Sequence, residues 1–134
     1  MELVNSSLLL FRADEVPRQG PPVSKTQRQR AAGAMEAIRC RACGGVVTGR
    51  DTKIPVNGSH AHTFFNPAGI VFELGCFQQA PGCLVVGAAS AEFTWFAGHI
   101  WRVALCRRCQ AHLGWLFTSG ENSFYGLILS KLQE

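Results

Sequence analysis

A chain of 134 residues with 47% hydrophobic content has material for one domain with an adequate core, and not comfortably for two. Residues 1–34 carry five Lys/Arg against three Asp/Glu and residues 35–134 eight against six, so neither part has the clustered basic face that nucleic acid demands. No apolar run approaches the ~20 residues that cross a bilayer, and six cysteines are too few for a disulfide-dense secreted scaffold.

Residues 1–34 read as a disordered N-terminal tail: the stretch is polar, holds Pro17, Pro21 and Pro22, and sustains no period of 3.6 or 2. The short apolar run at residues 8–11 follows only one charge, Glu2, so it lacks a basic n-region and no signal peptide is expected. Met35, where the ordered pattern begins, is a candidate initiator, and residues 35–134 form the expected domain. A first Cys-x-x-Cys knuckle follows, Cys40 and Cys43, with Gly44 and Gly45 suited to a turn with positive φ. Residues 46–56 are short, mixed and broken by Gly49 and Pro55, which predicts turns and one helical turn. Strands are predicted at 62–65, 70–77 and 84–87, separated by a turn at Asn66, Pro67, Ala68 and Gly69 and by a break at Pro81 and Gly82.

Alternation then places Phe93 and Trp95 on one face of a strand, Trp101, Val103 and Leu105 on a face leading into the second knuckle, and Leu113, Trp115 and Phe117 on a face leading out of it. Residues 118–123 read as a loop and 124–132 as a final apolar segment of either type. Many short strands with glycine turns make the domain all-β.

The second knuckle holds Cys106 and Cys109. Two such pairs supply four thiolates, the set that a closed tetrahedral structural zinc site takes, with no open position for catalysis. The rival readings are unrelated surface pairs or a redox pair, and a redox pair belongs at a helix start in a βαβ setting that is absent here. Cys76 reads as a buried small hydrophobe and Cys83 as an exposed thiol, with a disulfide between them disfavoured in a reducing, cytoplasmic compartment. His112 reads as a packed, hydrogen-bonded residue. His60, His62 and His99 read as ordinary loop or strand-end residues.

All three tryptophans, Trp95, Trp101 and Trp115, fall within 21 residues. Composition alone favours core over pocket, although converging indoles, each with an N–H to satisfy, often mark a concave site. Residues 92–101 (Glu-Phe-Thr-Trp-Phe-Ala-Gly-His-Ile-Trp) and 106–117 (Cys-Arg-Arg-Cys-Gln-Ala-His-Leu-Gly-Trp-Leu-Phe), with Asn-Pro-Ala-Gly at 66–69 and Phe-Tyr-Gly-Leu at 124–127, resemble the thalidomide-binding (CULT) domain of the cereblon family. The likeness is nearest to its short single-domain bacterial members and covers about residues 36–132.

The resemblance implies a β-tent, two antiparallel sheets at a steep angle pinned by a four-cysteine zinc site, and a cage that binds cyclic imides of the glutarimide, thalidomide or uracil kind. Trp95, Trp101 and Trp115 would be its walls and Phe117 an added edge. The Phe93–Thr94–Trp95 backbone would hydrogen-bond the imide, with Asn66 and Pro67 at the mouth. Modified protein termini that have cyclised to imides would be further ligands.

There are departures. Phe93 stands where the animal proteins carry a ligand-binding histidine, Thr94 replaces a serine, and Ala68 replaces a second histidine at the mouth. The chain leaves no room for the domain through which cereblon joins a ubiquitin ligase, so no ligase partner is implied.

Two other functions compete. Ala-His-Leu-Gly beside a zinc knuckle is similar to methionine sulfoxide reductase B, but that enzyme needs a thiolate nucleophile downstream and Cys109 is the last cysteine. No catalytic residue is therefore assigned. Aromatic cages also hold methylated ammonium groups, usually with a carboxylate. Glu92 is the acidic residue nearest the tryptophans, and strand parity points it away from Phe93 and the cage.

Overall fold

The computed structural model describes residues 36–134; the expected tail at 1–34 and the candidate initiator Met35 lie outside them. Among the described residues the chain is built from nine strands and two single turns of 3-10 helix. The strands are β1 (Ala37–Cys40), β2 (Val46–Gly49), β3 (Ala61–Phe65), β4 (Val71–Phe77), β5 (Cys83–Ser90), β6 (Ile100–Cys106), β7 (His112–Ser119), β8 (Asn122–Ile128) and β9 (Leu132–Gln133). They form two antiparallel sheets, one ordered β2-β1-β9 and one β3-β4-β8-β7-β6-β5. The expected all-β fold of two antiparallel sheets is what the described residues adopt.

The turns follow from local chemistry. At 66–69 the Asn66 side chain accepts from the Ile70 N–H at 2.8 Å while Gly69, at φ 85°, donates its N–H to the Asn66 carbonyl at 2.9 Å. β7 and β8 join through Gly120 and Glu121 alone. Gly120 has φ 60°, the positive first position of a II′-type hairpin turn, so the six-residue loop expected at 118–123 is mostly strand. Residues 46–56 likewise open with a strand, β2, before the helical turn at Arg50–Thr52. Val46 and Thr48, paired with Arg39 and Ile38 of β1, outweigh the breakers that follow. The final apolar segment is strand β8, a 3-10 turn at Leu129–Lys131 and strand β9.

The larger correction concerns residues 91–99. This stretch is a loop between β5 and β6, not a strand, and Phe93 holds a left-handed conformation with φ 54°. Parity therefore says nothing about where Glu92 points. Leu113 also leaves the face predicted for it. A register shift between Ala104 and Leu105, opposite Gly114 and His112, interrupts the alternation, and Leu113 joins a different cluster from Trp115 and Phe117.

Two apolar clusters result. The first is the seam between the sheets, where Ile38, Cys40, Val47 and Leu132 of the small sheet meet Phe77, Cys83, Cys106, Leu113 and Leu127 of the large one. The second joins Leu74, Cys76, Phe96, Phe117, Phe124 and Ile128, with all three tryptophans packed against it. At the seam the Gly82 N–H donates to the Val47 carbonyl at 2.9 Å, and a Cβ on Gly82 would overlap the Val46 carbonyl and the Val47 Cα. Backbone cannot yield as a flexible side chain can, so Gly82→Ala is expected to cost at least about 2 kcal/mol. Chemical denaturation would show this as a lowered midpoint at unchanged slope.

Candidate metal centre and aromatic cavity

Each knuckle sits where a strand ends. Cys40 is the last residue of β1 and Cys106 the last of β6, with Cys43 and Cys109 in the turns that follow. Similar turn bonds close both knuckles: Gly44 N–H to the Cys40 carbonyl at 2.7 Å, and Gln110 N–H to the Cys106 carbonyl at 2.8 Å. Gly44 has φ 77° and Gln110 φ 64°. The four sulfurs lie within 4.8 Å of one another, with Cys40 Sγ 3.7 Å from Cys109 Sγ and Cys43 Sγ 3.6 Å from Cys106 Sγ.

Sulfurs at ~2.3 Å around a tetrahedral zinc would be ~3.8 Å apart, so the cluster has dimensions that could hold zinc. Burial, and then the Cys106 and Cys109 thiols beside it, push the Cys43 thiol up to about 12. Four sulfurs this close ionise together only around a cation. One pair comes from each sheet, so an ion there would tie the sheets at their seam.

The two remaining cysteines are free and sit in different clusters, Cys76 in the aromatic one and Cys83 in the seam. Cys83 is 3% exposed, not the surface thiol expected, because its strand pairs it directly with Cys106. Burial pushes Cys76 up to about 11 and Cys83 up to about 12, which leaves both as unreactive thiols.

Beside the second cluster lies a cavity of about 520 Å³, within the range of small-molecule sites. Trp95, Trp101 and Trp115 all line it. The register explains part of this convergence: Trp101 pairs with Phe117 and Val103 with Trp115 across β6 and β7, which puts Trp101, Trp115 and Phe117 on one face. Trp95 reaches the same space from the loop. Its ring meets that of Trp115 edge to face at 4.9 Å and stacks on Phe64 at 5.1 Å.

Two indole N–H groups are tied down, Trp95 Nε1 to the Phe65 carbonyl at 2.9 Å and Trp101 Nε1 to the Glu92 carbonyl at 2.8 Å. Ring faces are therefore what these two residues have left to offer a guest.

Of the other residues named from sequence, Asn66, Pro67, Phe93 and Phe117 line the cavity, while Thr94 does not. The Thr94 hydroxyl instead donates to the Phe96 carbonyl at 3.3 Å. Phe93 is 70% exposed at the cavity, in a conformation that costs a bulky residue ~1–3 kcal/mol. Among the described residues no main-chain hydrogen bond involves Phe93, Thr94 or Trp95.

Phe72, Ser90, Glu92 and His112 also line the cavity and were missed as site residues. Glu92 was set aside by a strand parity that does not exist. His112 does have the packed role expected of it: Nε2 donates to the Gly114 carbonyl at 3.0 Å, and its ring stands edge-on to Trp115 at 4.8 Å. Burial holds its pKa below the usual histidine value, favouring the neutral ring. Phe72 reaches the site by pairing with Phe64 and meeting Trp115 edge-on at 5.4 Å, which no local pattern announces. None of the six cysteines lines the cavity, and no helix of the described residues is long and apolar enough to cross a membrane.

No family model matches the chain. Over 75 residues, 52% of its length, it is 39% identical to protein cereblon of Xenopus tropicalis, and over 74 residues it is 35% identical to protein cereblon of Gallus gallus. Protein cereblon of Drosophila persimilis is 31% identical over 77 residues. The chain spans only 17% of the two vertebrate relatives' length and 12% of the insect one's. These partial similarities support a cereblon-like family for the chain.

Proposed function

We propose that residues 35–134 are a CULT-like binding module, akin to the short bacterial members, in which a structural zinc ion held by Cys40, Cys43, Cys106 and Cys109 keeps a three-tryptophan cavity in shape for small cyclic imides. Protein termini cyclised to imides would be natural carriers of such a ring. The observation that carries this reading is the convergence of Trp95, Trp101 and Trp115 on one cavity, which Phe93 also lines.

A glutarimide ring has methylene edges that suit indole faces, and an acceptor–donor–acceptor edge that suits exposed main chain. Leaving that edge buried and unpaired would cost ~1–3 kcal/mol per group, so the backbone of residues 93–95 would favour the imide over a plain ring. Phe93 has no side-chain hydrogen bond to add, so at that position only the main chain could contribute one. The absence of any cysteine from the cavity lining gives the sulfoxide reductase reading no nucleophile.

The test is a titration with glutarimide followed by tryptophan emission, run beside N-methylglutarimide, which keeps the ring and loses the donor. Saturable quenching by glutarimide, with binding of the N-methyl compound weakened at least about tenfold, is expected. Equal binding of both, or of neither, would contradict the proposal.

A further inference from the structure

The cavity holds one group that a site for neutral rings does not require. Among the described residues Glu92 is the single carboxylate residue along its lining, and no Lys or Arg shares that lining. Among the described residues, ion pairs join only Arg50 and Lys53 to Glu134. The Glu92 main chain is also fixed in place: its N–H donates to Ser90 Oγ at 3.1 Å and its carbonyl accepts from Trp101 Nε1 at 2.8 Å. The backbone that carries the carboxylate is thus tied to the indole that forms one wall. Trp95 and Trp115, whose planes meet at 81°, both line the same space. Negative ring faces around a space with one anion at its edge attract a compact, weakly hydrated cation and repel an anion.

We infer that Glu92 makes the cavity charge-selective, so that it also takes a methylated ammonium group, the cation lying against the indole faces beside the carboxylate. This rests on the cavity being a ligand site and not on that ligand being an imide. A methylated ammonium could be the head of a small molecule or the end of a modified lysine.

The experiment is calorimetric titration of the whole chain with choline, with its neutral isostere 3,3-dimethylbutan-1-ol, with Nε-trimethyl-lysine amide and with glutarimide. Choline is expected to bind at least about fivefold tighter than the isostere. Glu92→Gln is expected to collapse that ratio toward one, with near-UV circular dichroism confirming the variant's fold. The tighter of the choline and trimethyl-lysine arms names the source. A choline-to-isostere ratio near one in the unaltered chain, or a ratio that survives Glu92→Gln, would overturn the inference. Glutarimide binding with no cation preference defeats this inference alone, and cation preference without glutarimide binding defeats the imide reading alone.

Discussion

Cys106→Ser is expected to yield a chain that binds no metal and lacks a cooperative unfolding transition. Cys106 is 2% exposed, ends β6, and lies 3.6 Å from Cys43 across the seam. Serine there removes one of the four sulfurs proposed to hold the ion and buries a hydroxyl in the cluster formed with Ile38, Val47 and Leu113. Structural zinc contributes roughly 10 kcal/mol of apparent free energy to folding, as much as a typical domain's whole stability. The three-stranded sheet that this cluster packs against the six-stranded one is made of short elements, β1 and β2 having four residues each and β9 two, so a few hydrogen bonds across the seam, such as Gly82 N–H to the Val47 carbonyl, offset little of the loss. Cys76→Ala supplies the contrast. It removes a buried thiol from the aromatic cluster, is expected to cost only about 1–2 kcal/mol, and should leave metal content unchanged. Metal analysis and near-UV circular dichroism on the two variants distinguish ligand from packing, and a folded Cys106→Ser chain with a full complement of metal would refute the metal assignment.

Trp101→Ala is expected to weaken imide binding about 30- to 150-fold, or roughly 2–3 kcal/mol, while the domain stays folded. Among the described residues the Trp101 ring makes none of the close aromatic pairs that knit Trp95 and Trp115 to their neighbours. Its removal opens a wall and frees the Glu92 carbonyl without dismantling the second cluster. Trp115→Ala would be a poorer test, because that ring packs edge-on against Trp95, Phe72 and His112 and its loss is expected to destabilise the fold by about 3–5 kcal/mol. Unchanged glutarimide affinity in folded Trp101→Ala would remove the cavity from the binding function.

Much of this organisation was legible in the chain itself, for identifiable reasons. Cys-x-x-Cys spacing survives translation into three dimensions because two residues and a turn fix the sulfur separation, whichever strands carry them. Alternation correctly placed Trp101 with Val103 and Trp115 with Phe117, since β6 and β7 run regularly there. It failed where backbone geometry departs from the pleat: at Phe93, whose φ of 54° turns a seeming strand into a loop, and at Leu113, displaced by the register shift opposite Leu105. Glu92 was misjudged for the first of these reasons. Phe72 and Ser90 come to the cavity only through long-range pairing of their strands, and Cys83 is buried only because β5 pairs it with Cys106.

The most direct test joins the two halves of the molecule in one sample. Metal content and glutarimide affinity should be measured on the same preparation before chelation, after chelation, and after zinc is restored. One zinc per chain with saturable binding, loss of both on chelation, and return of both on adding zinc are expected. Glutarimide binding that is absent from the zinc-loaded chain, or that persists undiminished once the metal is gone, would contradict a metal-pinned imide site.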